Sequence, residues 1–184
     1  MRNRPSAAAI RRAAAALGCT EPAVRAVIEV EAGGDGFLPD GRPKILFERH
    51  KFRQFTGGRF DQTHPTLSGP AGNYSGGTAE YVKLYQALQL DAEAAIQSCS
   101  WGIAQIMGFN WPKTGETSLL GFLMAMHHDA DAQLALMVEF IRMSGLADEM
   151  KRKDWTAFAR GYNGPAQKGY DTKLQAAYKR HGGV

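Results

Sequence analysis

Helical periodicity runs through most of this chain but fails between Gly33 and Thr78, and that interruption limits the folds open to it. Apolar residues recur at three- and four-residue spacing over approximately 6–17, 21–32, 78–88, 91–106, 117–126, 129–145, 154–162 and 169–181, which predicts helices there. In the gap, Gly, Pro, Asp and Asn recur, and only Ile45 to Phe55 is sustained as an apolar and aromatic stretch. Pro39-Asp40-Gly41 is a turn signal with apolar flanks, so a short hairpin or extended segment is expected around Phe37 to Phe47. The expected fold class is mainly α, a helical bundle with a loop-rich lobe. At 184 residues and 44% hydrophobic composition the chain can bury one core but is short for two, so a single domain over 1–184 is expected.

Composition removes several function classes. No apolar run approaches the roughly 18 residues of a membrane span. Met1 to Thr20 is basic and free of acids, yet Arg11 and Arg12 split the alanine-rich stretch that would form a signal peptide's apolar core, so an amphipathic helix and synthesis in the cytoplasm without an export signal are expected. Cys19 and Cys99 lie far apart and form no CxxC pair, which indicates neither a zinc site nor a disulfide framework. His127-His128 lack an i, i+4 histidine partner and no GxGxxG or Walker pattern occurs, so no metal or cofactor is expected. There is no Gly-x-Ser-x-Gly elbow. The net charge of +4 favours polyanions, but the basic residues are scattered among acids without a recognised motif, which speaks against nucleic acid.

Three places combine residue types that chemistry uses. In the helix from Glu21, which Thr20 is placed to cap, Val24, Val27 and Ile28 share one face, and the same spacing puts Glu31 on that stripe while Glu29 points elsewhere. A carboxyl there, just before Gly33 and Gly34, is desolvated and holds its proton more tightly, as a general acid must; the alternative is a solvated or paired glutamate, with Arg49 as one partner. The second place is Ser98-Cys99-Ser100-Trp101-Gly102-Ile103-Ala104-Gln105-Ile106, where hydroxyls and an amide flank an indole, as a sugar-binding wall requires. Trp101, Ile103 and Ile106 fit the core equally well. Third, the stripe Trp155, Phe158, Ala159 reaches Tyr162 and then Asn163-Gly164-Pro165, where Gly-Pro breaks the helix and leaves a phenol and an amide at its end.

These pieces, in this order, resemble the lysozyme-like muramidases and lytic transglycosylases. More closely, Val30-Glu31-Ala32, Gly36-Phe37-Leu38, Pro43 to His50, Trp101-Gly102 through Gln105 to Phe109, and Ala159 to Pro165 are similar to the phage endolysin N-acetylmuramidase domain family, related to goose-type lysozymes. Cys99 and Ala104 depart from its pattern. The resemblance implies a lysozyme-like fold and a peptidoglycan hydrolase cutting between N-acetylmuramic acid and N-acetylglucosamine. It implies Glu31 as catalytic acid, Ser98, Ser100, Trp101 and Gln105 on the cleft wall, and Tyr162 and Asn163 beside the acid. Glu48 is a candidate second carboxylate, or one that fastens the lobe through Arg49 or Lys44.

The partner implied is the glycan strand of bacterial peptidoglycan, met in the wall after release from the producing cell, by a monomer whose basic surface could also touch an outer membrane. Two other readings stay open: a lytic transglycosylase forming 1,6-anhydro products, and a non-catalytic wall-binding or cationic membrane-active protein using Lys151-Arg152-Lys153 or Lys173 to Arg180.

Overall fold

The computed structural model describes residues 3–165 and 168–184. In chain order the elements are α1 (Ala7–Leu17), α2 (Glu21–Ala32), β1 (Ile45–Phe47), α3 (Arg49–Phe55), α4 (Ala79–Leu88), α5 (Ala92–Gln97), β2 (Cys99–Trp101) and β3 (Ile106–Met107). They continue with α6 (Leu119–His128), α7 (Ala130–Met143), α8 (Ala147–Arg152), α9 (Trp155–Asn163) and α10 (Tyr170–Arg180). The fold is mainly helical with one small antiparallel sheet in the order β1-β2-β3. None of the described helices is long and apolar enough to cross a membrane.

Local chemistry explains most boundaries. Ser6 opens α1 by accepting the Ala9 N–H on its hydroxyl at 3.1 Å, and Gly18 closes it in the left-handed conformation. α2 has the predicted bounds and ends at Gly33 with φ 66°. Thr20 occupies its N-cap position, but the hydroxyl makes no capping hydrogen bond. Pro22 in the first turn removes one of the N–H groups such a cap would serve. Val24, Ala26 and Val27 are fully buried, and each valine contributes roughly 1.5–3 kcal/mol by leaving water. α1, α10 and a 3₁₀ turn at Gly102–Ala104 pack around α2, which makes it the axis of the core.

The largest departure from the periodicity lies at 98–106, expected as the end of a helix. Ser98 ends α5, its hydroxyl bonding back to the Ala94 carbonyl at 2.6 Å, and the chain turns into β2. Ile45 pairs with Trp101, Leu46 with Ser100 and Phe47 with Cys99, so strand pairing across 50-odd residues overrides the alanine-rich helical run. Gly102 at φ 67° and Gln105 at φ 46°, on either side of a 3₁₀ turn, then reverse the chain into β3, which a continuing right-handed α-helix could not do. The anticipated hairpin at 37–47 is a turn closed by a single Phe37–Pro43 bridge, and its last residues, β1, pair with β2 instead. α3 and α8, which the periodicity did not reveal, have seven and six residues, too short to show a repeat.

Two buried polar side chains tie the irregular parts down. Gln133 on α7 is wholly buried; its Oε1 accepts from the Ile103 N–H at 2.9 Å, and its Nε2 donates to the Met126 carbonyl at 2.8 Å and the Gly36 carbonyl at 3.3 Å. One amide thus locks the 3₁₀ turn to α6 and to the segment after α2. Glu80 on α4, also wholly buried, accepts from the backbone N–H groups of Phe47 at 3.1 Å, Ser75 at 2.5 Å and Gly76 at 2.9 Å, with Lys83 at 3.3 Å. Burial alone would raise this carboxyl, but those hydrogen bonds and Lys83 hold it below its ordinary value.

Candidate active site

The helical bundle and the sheet meet along a cleft of about 520 Å³. Glu31, Phe140, Tyr162 and Asn163 line it from the helical side. Glu48, Ser100, Gln105, Met107 and Phe109 line it from the sheet side. Six of the eight residues singled out from sequence therefore converge: Glu31, Glu48, Ser100, Gln105, Tyr162 and Asn163.

Glu31 sits in the last turn of α2, half-buried on the extension of the Val24–Val27–Ile28 face. Burial pushes its carboxyl up to about 8, and a hydrogen bond from the Asn163 side chain offsets part of that rise. A second donor, the Tyr170 hydroxyl from the start of α10, bonds Glu31 Oε1. Arg49, a conceivable partner for Glu31 on sequence grounds, is spent on the Pro65 and Pro70 carbonyls at 2.9 and 2.5 Å. Glu29 points away, as its helical position requires, to the Arg180 guanidinium, whose hydrogen bond depresses its pKa. Gly33 and Gly34, expected beside the acid's ligand, line a separate depression with Arg4 and Glu29.

Tyr162 closes the cleft beside Glu31. Its hydroxyl donates to the Ala104 carbonyl at 2.8 Å, and its ring stacks on Phe158 with centroids 5.2 Å apart and meets Phe140 edge-on at 5.3 Å. Burial first, and then the nearby Glu31, push the phenol well above its ordinary value, so it stays neutral. α9 carries Tyr162 and Asn163 in its final turn and stops at Gly164, as the Gly-Pro break predicts.

Across the cleft, Gln105 is held by both ends of its amide. Ser100 Oγ donates to Oε1 at 2.8 Å, while Nε2 donates to the Gly102 carbonyl at 2.8 Å. The left-handed backbone at this non-glycine residue costs energy that the surrounding turn sustains, a pattern concentrated at functional sites. Each end of the amide keeps unused hydrogen-bonding capacity for a ligand hydroxyl. Glu48 precedes α3; its Oε2 accepts from the Tyr74 hydroxyl at 2.9 Å and lies 3.1 Å from His50 Nδ1, in contact but without hydrogen-bond geometry. Neither Lys44 nor Arg49 pairs with it, since Lys44 Nζ donates to the Ala32 carbonyl at 2.7 Å at the end of α2.

Ser98 and Trp101 are corrected by their positions. Both belong to the core: Ser98 is wholly buried with its hydroxyl on Ala94, and Trp101 is 2% exposed with its indole N–H donated to the Ile96 carbonyl at 3.1 Å. Residues in β2 alternate sides, so Ser100 faces the cleft while its neighbour Trp101 faces inward. On the sheet side Phe109, in a 3₁₀ segment at Gly108–Lys113, gives the cleft an aromatic surface, and it stands edge-on to Phe55 at 5.8 Å. Tyr170 and Tyr74 escaped the sequence reading, and Phe109 and His50 entered it only within longer motifs, without a role of their own. Tyr74 falls in an irregular stretch with no period, and Tyr170 reaches Glu31 from 139 residues away. Among the described residues no group of three His, Cys, Asp or Glu side chains could hold a metal ion.

A protonated carboxyl held by two donors, opposite a second carboxylate and an anchored amide, suits acid catalysis on a hydroxyl-rich substrate. A family model of N-acetylmuramidases matches residues 20–182. The crystal structure of the Burkholderia AP3 phage endolysin is similar over 98% of this chain and 72% of that one, with a TM-score of 0.86 and 37% sequence identity. No curated protein matches.

Proposed function

The chain belongs to the N-acetylmuramidase family, and from that membership we propose that it hydrolyses peptidoglycan glycan strands between N-acetylmuramic acid and N-acetylglucosamine, with Glu31 as the general acid. The observation that carries the reading is the state of Glu31: a carboxyl that keeps its proton up to about pH 8 while facing a cleft. In a solvated glutamate that proton is gone by neutral pH.

The cleft supports the following sequence. Gln105 and Asn163 hydrogen-bond sugar hydroxyls or acetamido groups, and Phe109 receives a ring face. With Tyr170 donating to Oε1, the Glu31 proton resides on Oε2 and passes to the glycosidic oxygen as the C1–O bond breaks through an oxocarbenium-like state. The leaving strand departs with a new hydroxyl. Water adds to C1, giving up its proton to a carboxylate, and the muramic acid becomes a reducing end. Glu48, oriented by Tyr74, is the carboxylate that stabilises the developing positive charge or takes the proton from water. The wall is the place of action this assigns.

Purified peptidoglycan digested by wild type and by Glu31→Gln tests the reading. Reducing muramic acid ends by mass spectrometry and at least a ~100-fold loss of rate in Glu31→Gln are expected. Anhydro ends would instead make the protein a lytic transglycosylase, and lysis near the wild-type rate in the variant would remove Glu31 from the chemistry.

A further inference from the structure

α3 reads Arg49-His50-Lys51-Phe52-Arg53-Gln54-Phe55, a seven-residue helix with four basic side chains and no acid, along the edge of the cleft. Two of the four are occupied. Arg49 bonds the Pro65 and Pro70 carbonyls, and Arg53 pairs with Asp61 at 2.7 Å. Lys51 is different: it is half-buried in the cleft wall, with Nζ 5.3 Å from the centre of the Phe109 ring and 3.3 Å from Gln54 Oε1. Among the described residues no carboxylate lies within 4.0 Å of that ammonium. A second depression of about 310 Å³, lined by His50, Arg53, Gln54, Gly57 and Gly58, shares His50 with the cleft. Asp61, the partner of Arg53, stands beside Gly58, and the space above Gly57 is open.

A half-buried cation without a counter-ion loses hydration that one amide and one ring face restore only in part, and a ligand's anion supplies the rest. The hydroxyls and acetamido groups of the sugars are neutral, and the lactyl carboxyl of muramic acid is an uncharged amide wherever a stem is attached to it. On a peptidoglycan strand free of wall polymers, the anions are the carboxylates of the peptide stems carried by muramic acid. A stem leaving a sugar bound in the cleft meets the Lys51 ammonium in the cleft wall, with the second depression lying beyond His50.

We propose that Lys51 in the cleft wall, with the depression beyond His50, binds stem-peptide carboxylates, so that the protein selects strands whose stems carry free carboxylates. The inference rests on the hydrolase reading above. Among the described residues Lys51 bonds Gln54 and neither Glu31 nor Glu48, so its contribution is to substrate capture, and it acts through KM.

The test measures kcat/KM on teichoic-acid-free glycan strands with tetrapeptide stems and on the same strands with their stem carboxyls converted to neutral amides, for wild type and Lys51→Met. Methionine keeps an apolar stem over Phe109 while removing the charge. Wild type is expected to favour the strands with free stem carboxylates by ~10-fold through KM, and Lys51→Met to bring that ratio within ~2-fold of unity. A wild-type ratio near one, or an unaltered ratio in Lys51→Met, overturns the Lys51 assignment while leaving the hydrolase intact. Failure of wild type to cut either substrate overturns both.

Discussion

Keeping Glu31 protonated costs the fold stability, and the cost has a definite pH dependence. The carboxyl rises from an ordinary 4.5 to about 8 on folding, so between those values the native state holds a proton that the unfolded chain has released. Stability is therefore unaffected below about pH 4.5, declines as pH rises through the window, and carries the full penalty above about 8. At pH 7 the penalty integrates to about 3 kcal/mol, and at pH 4 it is close to zero. Glu31→Gln is neutral at every pH, has nearly the same shape and still accepts the Tyr170 hydroxyl on its amide oxygen. It should unfold about 3 kcal/mol less readily than wild type at pH 7, or about 6–12 °C higher in Tm for a chain of this size, while matching wild type at pH 4. Urea denaturation of both proteins at several pH values between 4 and 8 measures this. A difference that stays constant with pH, or a variant less stable at pH 7, would refute the claim that desolvation keeps this acid charged with its proton.

Two further outcomes follow from the same contacts. Tyr170→Phe removes a donor that favours the ionised carboxyl, so the alkaline limb of the kcat/KM profile should move up by about half a unit to one unit, with kcat reduced about tenfold as the acid loses its fixed orientation. The groups facing Glu31 besides Tyr170 are Tyr162 and Asn163 from α9, with Glu48 and His50 across the cleft, and none of these is altered by the change; an unmoved limb would show that Tyr170 serves packing alone. Gln133→Leu leaves the Ile103 N–H without its partner inside the core and should cost about 2–4 kcal/mol in chemical denaturation, and a loss below ~1 kcal/mol would mean that water replaces the amide.

The helical part of this molecule was legible because repetition carries it. α2 was bounded to the residue, since its apolar stripe, Pro22 and Gly33 are all local signals, and the stripe itself put Glu31 on the inner face. The Gly164-Pro165 break likewise announced that Tyr162 and Asn163 end a helix. The sheet was not legible. β2 has three residues preceded by a strong helical run, and what makes it a strand is hydrogen bonding to Ile45–Phe47. Trp101 illustrates the consequence: its neighbours invite a sugar-binding role, but the side of the strand it occupies was decided by register, which put Ser100 on the cleft and the indole in the core.

Amino-acid order alone determined the bounds of α2, the inward-facing position of Glu31 on it, and which amide and phenol would stand at a helix end, because those properties depend on neighbours within a few turns. Only the folded chain decided what Glu31 touches. Tyr170 at 139 residues' distance, Tyr74 on Glu48, and Gln105 held between Ser100 and Gly102 arise from the docking of α10, from the Glu80-anchored loop and from a sharp reversal after β2. Periodicity describes one element's face, whereas a site is made where the faces of several elements close on one another.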